Sequence, residues 1–289
     1  MTKSSAEFFF GATVHHTAVG PTRYAWRRYG SGPSLLLIHG FPLSGFTWRK
    51  LLPELARHHT CYVPDLPGMG ETEWTEPTDF TWHGQARGLK GLADQLGLAR
   101  YSVLGHDTGG TFARCLALAD GARIDRLGIV NSEIPGHRPP WIPLYQALMH
   151  VPGTLAGFNV LLRSRIFLRS AMGFGGCFND LSLLDGDFHE HFVAPLLNQP
   201  RRMEGLRSYL RDLKWDVVDG FAHDHAQLTM PVRLIWGADD PTFPIGLARQ
   251  MTGQLPRSTL VEVAGAKLLP HEEKPADVAR AWLEFRSIA

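Results

Sequence analysis

What this sequence lacks removes several classes of function before any residue is singled out. No block of like charge interrupts the chain and its net charge is only +1, so neither nucleic acid nor an anionic membrane surface is implied as a partner. No apolar run reaches the ~20 residues of a membrane helix, and the short one in MTKSSAEFFFGATVHH is too brief for a secretory leader. Cysteine is scarce. Cys61, Cys115 and Cys177 are far apart, share no C-x-x-C spacing and cannot all pair, which fits free thiols in a reducing compartment and a cytoplasmic location. Small buried apolar side chains are their expected role. No metal cluster, phosphate loop or dinucleotide fingerprint is apparent, so no cofactor is expected. A small apolar organic molecule remains as the partner. Nothing sets the oligomeric state, and a homodimer is compatible with this reading.

The 289 residues, 44% apolar and 20% charged, suffice for one large core or a core with an insertion. TRYAWRR, SLLLIHG, TCYVPDLPG, RYSVLGHD, RIDRLGIVNSE, MPVRLIWGADD and STLVEVAG read as strands, several of them unbroken apolar runs suited to a sheet covered on both faces. TWRKLLPELARH, TWHGQARGLKGLADQLGL and GGTFARCLALAD carry helical or amphipathic spacing between them. Strands alternating with helices predict an α/β fold, a mostly parallel sheet with helices on both faces. From about Pro135 to Gly220 the alternation gives way to helical segments rich in Leu, Phe and Arg. The expected organisation is a core over 1–135, a helical cap over 136–219 and the rest of the core over 220–289. A cap above the carboxyl ends of the strands would enclose a pocket.

VLGHDTGG carries the chemistry. Gly105 and Gly109 flank Asp107 where a strand must turn sharply into a helix. Glycines remove the Cβ atoms that would clash there, and the central side chain is forced into the open. Asp107 is the candidate nucleophile; the competing job for an aspartate here is to cap the following helix. HGFP (His39–Pro42), DLPGMGET and WGADDPTFP accompany it.

With these motifs in place, nearly the whole chain resembles the α/β-hydrolase fold, in the branch of epoxide hydrolases, haloalkane dehalogenases and fluoroacetate dehalogenases. The resemblance implies that Asp107 attacks saturated carbon to form an alkyl-enzyme ester, which an activated water then hydrolyses. It also implies that backbone N–H groups of Phe41 and Thr108 hold the oxyanion. His39 is expected to hold its loop by hydrogen bonds and to take no proton in the reaction. Asp240 matches the acid that orients the catalytic histidine, and Glu133 is its rival. Two cap tyrosines, Tyr145 and Tyr209, match the pair that donates to an epoxide oxygen; packing at a pocket rim is their other reading. Trp141 and Trp215 are candidate halide or packing residues. Thr108, Thr111 and Phe41 stand where dehalogenases carry tryptophan, arginines and asparagine.

The family's histidine is missing from its place. Anchored on HEEKP, the family loop puts its glycine on Lys267 and its histidine on Leu268. His271, Lys267 or a cap histidine such as His137 could act instead, or the hydrolytic cycle stops at the ester. The expected function is epoxide opening with an atypical or missing base. Dehalogenation and a non-hydrolytic ligand-binding or isomerising protein are the alternatives.

Overall fold

A computed structural model of the chain describes residues 3–285. Nine strands form one sheet: β1 (Val14–Val19), β2 (Thr22–Tyr29), β3 (Ser34–Ile38), β4 (Thr60–Pro64), β5 (Glu73–Trp74), β6 (Tyr101–His106), β7 (Ile124–Val130), β8 (Val232–Gly237) and β9 (Ser258–Val263). The order is β1-β2-β4-β3-β6-β7-β8-β9, with β5 beside β2. Pairing is antiparallel among β1, β2, β4 and β5 and parallel from β4 onward. The mixed α/β sheet therefore follows the expected strands, with β1 and β5 added at the antiparallel end.

Every residue of β6 is buried, as are four of the five in β3, which accounts for their unbroken apolar character. Helices such as Trp82–Gln95, Thr108–Asp120 and Pro275–Leu283 cover the sheet. Fully burying a Leu or Val such as Leu104 or Val103 contributes roughly 1.5–3 kcal/mol before entropic costs. TWRKLLPELARH is not one helix: it forms a 3-10 segment, Gly45–Lys50, and a single turn, Leu52–Leu55. Pro53 lies in the first turn of the latter, where a missing N–H costs nothing.

Between β7 and β8 the described chain contains helices and no strand. One of these helices, Pro200–Asp212, meets the core through backbone. A Cβ built on Gly205 would lie 2.6 Å from the Gly68 Cα in the turn after β4. Gly205→Ala is expected to cost roughly 1–3 kcal/mol by overpacking, read as a lowered Tm. Gly246→Ala is the control, because its Cβ would meet nothing within 4 Å.

Candidate active site

The carboxyl ends of five adjacent parallel strands converge on one place. Phe41 follows β3, Asp107 follows β6, Glu133 follows β7, Asp240 follows β8 and Leu268 follows β9. Such a crevice is where open α/β sheets bind ligands. Here it opens into a cavity of about 280 Å³ whose roof includes Tyr145, Phe158 and Leu210 from the helical segment.

Asp107 sits at the corner between β6 and the helix Thr108–Asp120 with φ 53° and ψ −130°. A non-glycine residue at positive φ is strained, and such strain clusters at functional sites. The flanking glycines are required by space. A Cβ on Gly109 would fall 2.4 Å from the Ile38 carbonyl oxygen, and one on Gly105 would fall 2.3 Å from that of Gly109. The Asp107 side chain makes no capping hydrogen bond to its helix, so the structure does not use it as an N-cap. It is half-buried and lines the cavity.

No Arg or Lys pairs with Asp107 among the described residues. Burial pushes its pKa well above the usual carboxylate range, with Glu133 and then Asp240 adding like-charge repulsion. The backbone N–H groups of Thr108 and Phe41 oppose the shift, since both stabilise the charged carboxylate. The Phe41 N–H also donates to Thr108 Oγ1 at 2.9 Å. These two donors are the pair the sequence assigns to an oxyanion.

The chain belongs to the α/β-hydrolase fold family. A family model described as alpha/beta hydrolase fold matches residues 33–275. The chain is 36% identical over 290 residues to a soluble epoxide hydrolase of Corynebacterium sp. strain C12, covering 94% of this chain and 96% of that protein. It is 26% identical over 263 residues to haloalkane dehalogenase 2 of Mycobacterium bovis, covering 88% of each. Among solved structures, an epoxide hydrolase without ligand superposes with a TM-score of 0.79 at 24% identity, over 94% of this chain and 98% of that one.

Within this α/β-hydrolase, several side chains sit differently from the sequence expectation. His271 is fully buried, stacks near Trp48 and His106, and places Nε2 2.7 Å from Thr47 Oγ1. It does not line the cavity, because the short helix Pro270–Glu273 turns it into the core beside the 3-10 segment. Burial and the nearby Lys50 and Arg49 depress its pKa to about 3, so it is neutral at physiological pH. Lys267 donates from Nζ to the Phe178 carbonyl at 3.1 Å, and His137 Nε2 lies 2.7 Å from the Thr242 carbonyl. Neither lines the cavity. No histidine does so among the described residues, and Leu268 does.

The two tyrosines line the cavity, yet both hydroxyl protons are engaged. Tyr145 donates to the Met172 carbonyl at 2.5 Å and Tyr209 to Gln85 Oε1 at 3.2 Å. A hydroxyl has one proton to give, so neither is a ready donor to a substrate oxygen. Trp141 and Trp215 also line the cavity, but the Trp215 N–H donates to Gln146 Oε1 at 2.7 Å. His39 donates from Nδ1 to the Gly40 carbonyl and accepts the Leu66 N–H at Nε2. That fixes one neutral tautomer in a loop-holding role.

Asp240 is buried and outside the cavity lining. Asn131 Nδ2 donates to its Oδ2 at 2.7 Å and the Thr242 N–H to its Oδ1 at 2.8 Å. Desolvation outweighs both bonds and raises its pKa to about 6. Glu133, by contrast, lines the cavity beside Asp107. It is held by Thr111, Ser132 and, through its backbone, the buried Arg114. The sequence signal for Glu133 was its place after β7; two of the donors around it, Thr111 and Arg114, come from the helix Thr108–Asp120 and were not visible as a site.

Proposed function

We propose that this α/β-hydrolase opens epoxides, with Asp107 attacking the less hindered ring carbon to form an alkyl-enzyme ester. One observation carries the reading. A carboxylate without a cationic partner, on a positive-φ corner, lines a mostly apolar cavity. A carboxylate with few waters and no counter-ion is a stronger nucleophile toward carbon, and approach within the cavity supplies orientation. The relation to a soluble epoxide hydrolase supports epoxides as the substrate class. The Phe, Leu and Trp lining supports an apolar, aromatic-tolerant substrate. The 136–219 segment is the cap that closes over it.

The absence of a lining histidine among the described residues favours a second reading, in which the cavity binds or isomerises its ligand without completing hydrolysis. Intact-mass spectrometry during exposure to terminal aryl epoxides and to haloalkanes separates these. Epoxide opening predicts a mass increase equal to the epoxide, mapped to Asp107, or conversion to diol. Halide release with no epoxide adduct would move the assignment to dehalogenation. Neither product nor adduct would leave ligand binding.

A further inference from the structure

Epoxide opening by Asp107 needs one proton for the ring oxygen and, later, a base for the attacking water. None of the groups assigned to these tasks from the sequence is placed to serve. Both tyrosine protons are committed elsewhere, and His271, Lys267 and His137 are turned away from the cavity. Among the described residues, Asp107 and Glu133 are the two carboxylates that line it, and no Lys, Arg or His joins them.

Two hydroxyls meet one carboxyl oxygen of Glu133: Thr111 Oγ1 donates to Oε2 at 2.6 Å, and Ser132 Oγ lies 3.0 Å from Oε2 and 2.8 Å from the Asp107 carbonyl. That carbonyl already accepts the Gly110 N–H at 2.8 Å, so Ser132 is free to give its one proton to Glu133. Both contacts fall on Oε2. The charged and titratable groups around Glu133 are Asp107 from the corner, Arg114 from the helix Thr108–Asp120, and His225, whose Nε2 lies 3.3 Å from Arg114. Arg114 pulls toward ionisation, but its nearest contact to Glu133 is the backbone carbonyl at 2.8 Å. Burial prevails and raises the Glu133 pKa. Two carboxyls in one desolvated site share a proton more readily than they both ionise.

We infer that Glu133 is the proton-transfer residue of the reaction, working as one half of a carboxyl pair with Asp107. This rests on the epoxide reading above. In the first step the Asp107 carboxylate forms a bond to ring carbon, the carbon–oxygen bond of the ring breaks, and the Glu133 proton goes to the departing oxygen. In the second step the Glu133 carboxylate takes a proton from water as its oxygen attacks the ester carbonyl, while the N–H groups of Phe41 and Thr108 hold the oxyanion. Collapse expels the product oxygen, which takes the remaining water-derived proton from the newly formed Asp107 carboxyl. The sum is epoxide plus water to diol, with Asp107 ionised and Glu133 protonated as at the start.

Glu133→Gln keeps an oxygen for Thr111 to donate to but cannot exchange protons. With a terminal aryl epoxide it is expected to lower diol formation about 10²–10⁴-fold, and to abolish the dependence of the rate on the ionisation of this residue. Glu133→Asp should recover part of the rate, and the Gln variant should melt within a few degrees of wild type. Single turnover of wild type in ¹⁸O-water should leave the label in the Asp107 carboxylate. The inference is overturned if Glu133→Gln turns over at the wild-type rate with an unchanged pH profile. It is also overturned if wild type forms the Asp107 ester and never releases diol. If wild type forms neither ester nor diol, the epoxide reading itself fails and the inference with it.

Discussion

Asp107→Asn is expected to abolish ester formation and lower epoxide turnover at least about 10⁴-fold, the scale seen when a covalent nucleophile is removed. The substitution preserves shape, and asparagine tolerates positive φ, so the loss is chemical. The same change should stabilise the fold. In the native state burial above all raises the Asp107 pKa, so between the unfolded and folded values the folded chain retains a proton that the unfolded chain has released. Below the unfolded value, near 4, both states are protonated and the group contributes nothing. As pH rises from there toward the folded value, stability falls, and above the folded value the penalty is complete. Asp107→Asn removes that penalty. At neutral pH it should gain on the order of 1–2 kcal/mol, a Tm increase of roughly 2–8 °C, and the gain should vanish on acidification below about pH 4. Differential scanning calorimetry at two pH values checks this. A loss of stability at neutral pH would mean that the carboxylate is paired in solution.

The second large effect is a rescue. Leu268 lines the cavity, and its carbonyl lies 2.9 Å from His106 Nε2, so the backbone at 268 is anchored whatever side chain it bears. Leu268→His would place an imidazole at the cavity surface. In the Glu133→Gln background, where proton transfer is lost, this histidine should restore diol formation by about 10²–10⁴-fold. In wild type the gain should be far smaller, because a base is already present. Stopped-flow measurement of ester decay in the four combinations reads the coupling directly. Equal gains in both backgrounds would mean that Glu133 does not carry the proton.

The fold was legible where local patterning and burial agree. Strands β3, β6 and β7 stand out as apolar runs because the sheet is covered on both faces there, while β2 and β9 were marked by their flanking turns despite exposed positions. β1 did not stand out, since VHHTAV sits at the sheet edge with no buried position and no regular alternation. β5 has only two residues and leaves no periodic trace. Within the site, the corner at Asp107 was readable because its steric requirement lies in adjacent glycines. The hydroxyl partners of Tyr145 and Tyr209 lie 27 and 124 residues away in sequence, and Thr47 lies 224 residues from His271. No spacing rule reports such long-range choices. Glu133 was in view only as a rival acid, because what raises its pKa is burial beside Asp107, which no local pattern reports.

Gly68 and Gly205 touch main chain to main chain, with no side chain between them to adjust. Around that pivot the seam is made of side chains, with Tyr209 against Phe41 and Phe80 and the Trp82 N–H on the Lys214 carbonyl. The pivot resists separation while its surroundings can repack, so substrate range is expected to follow the bulk of wall residues such as Leu206 and Leu210.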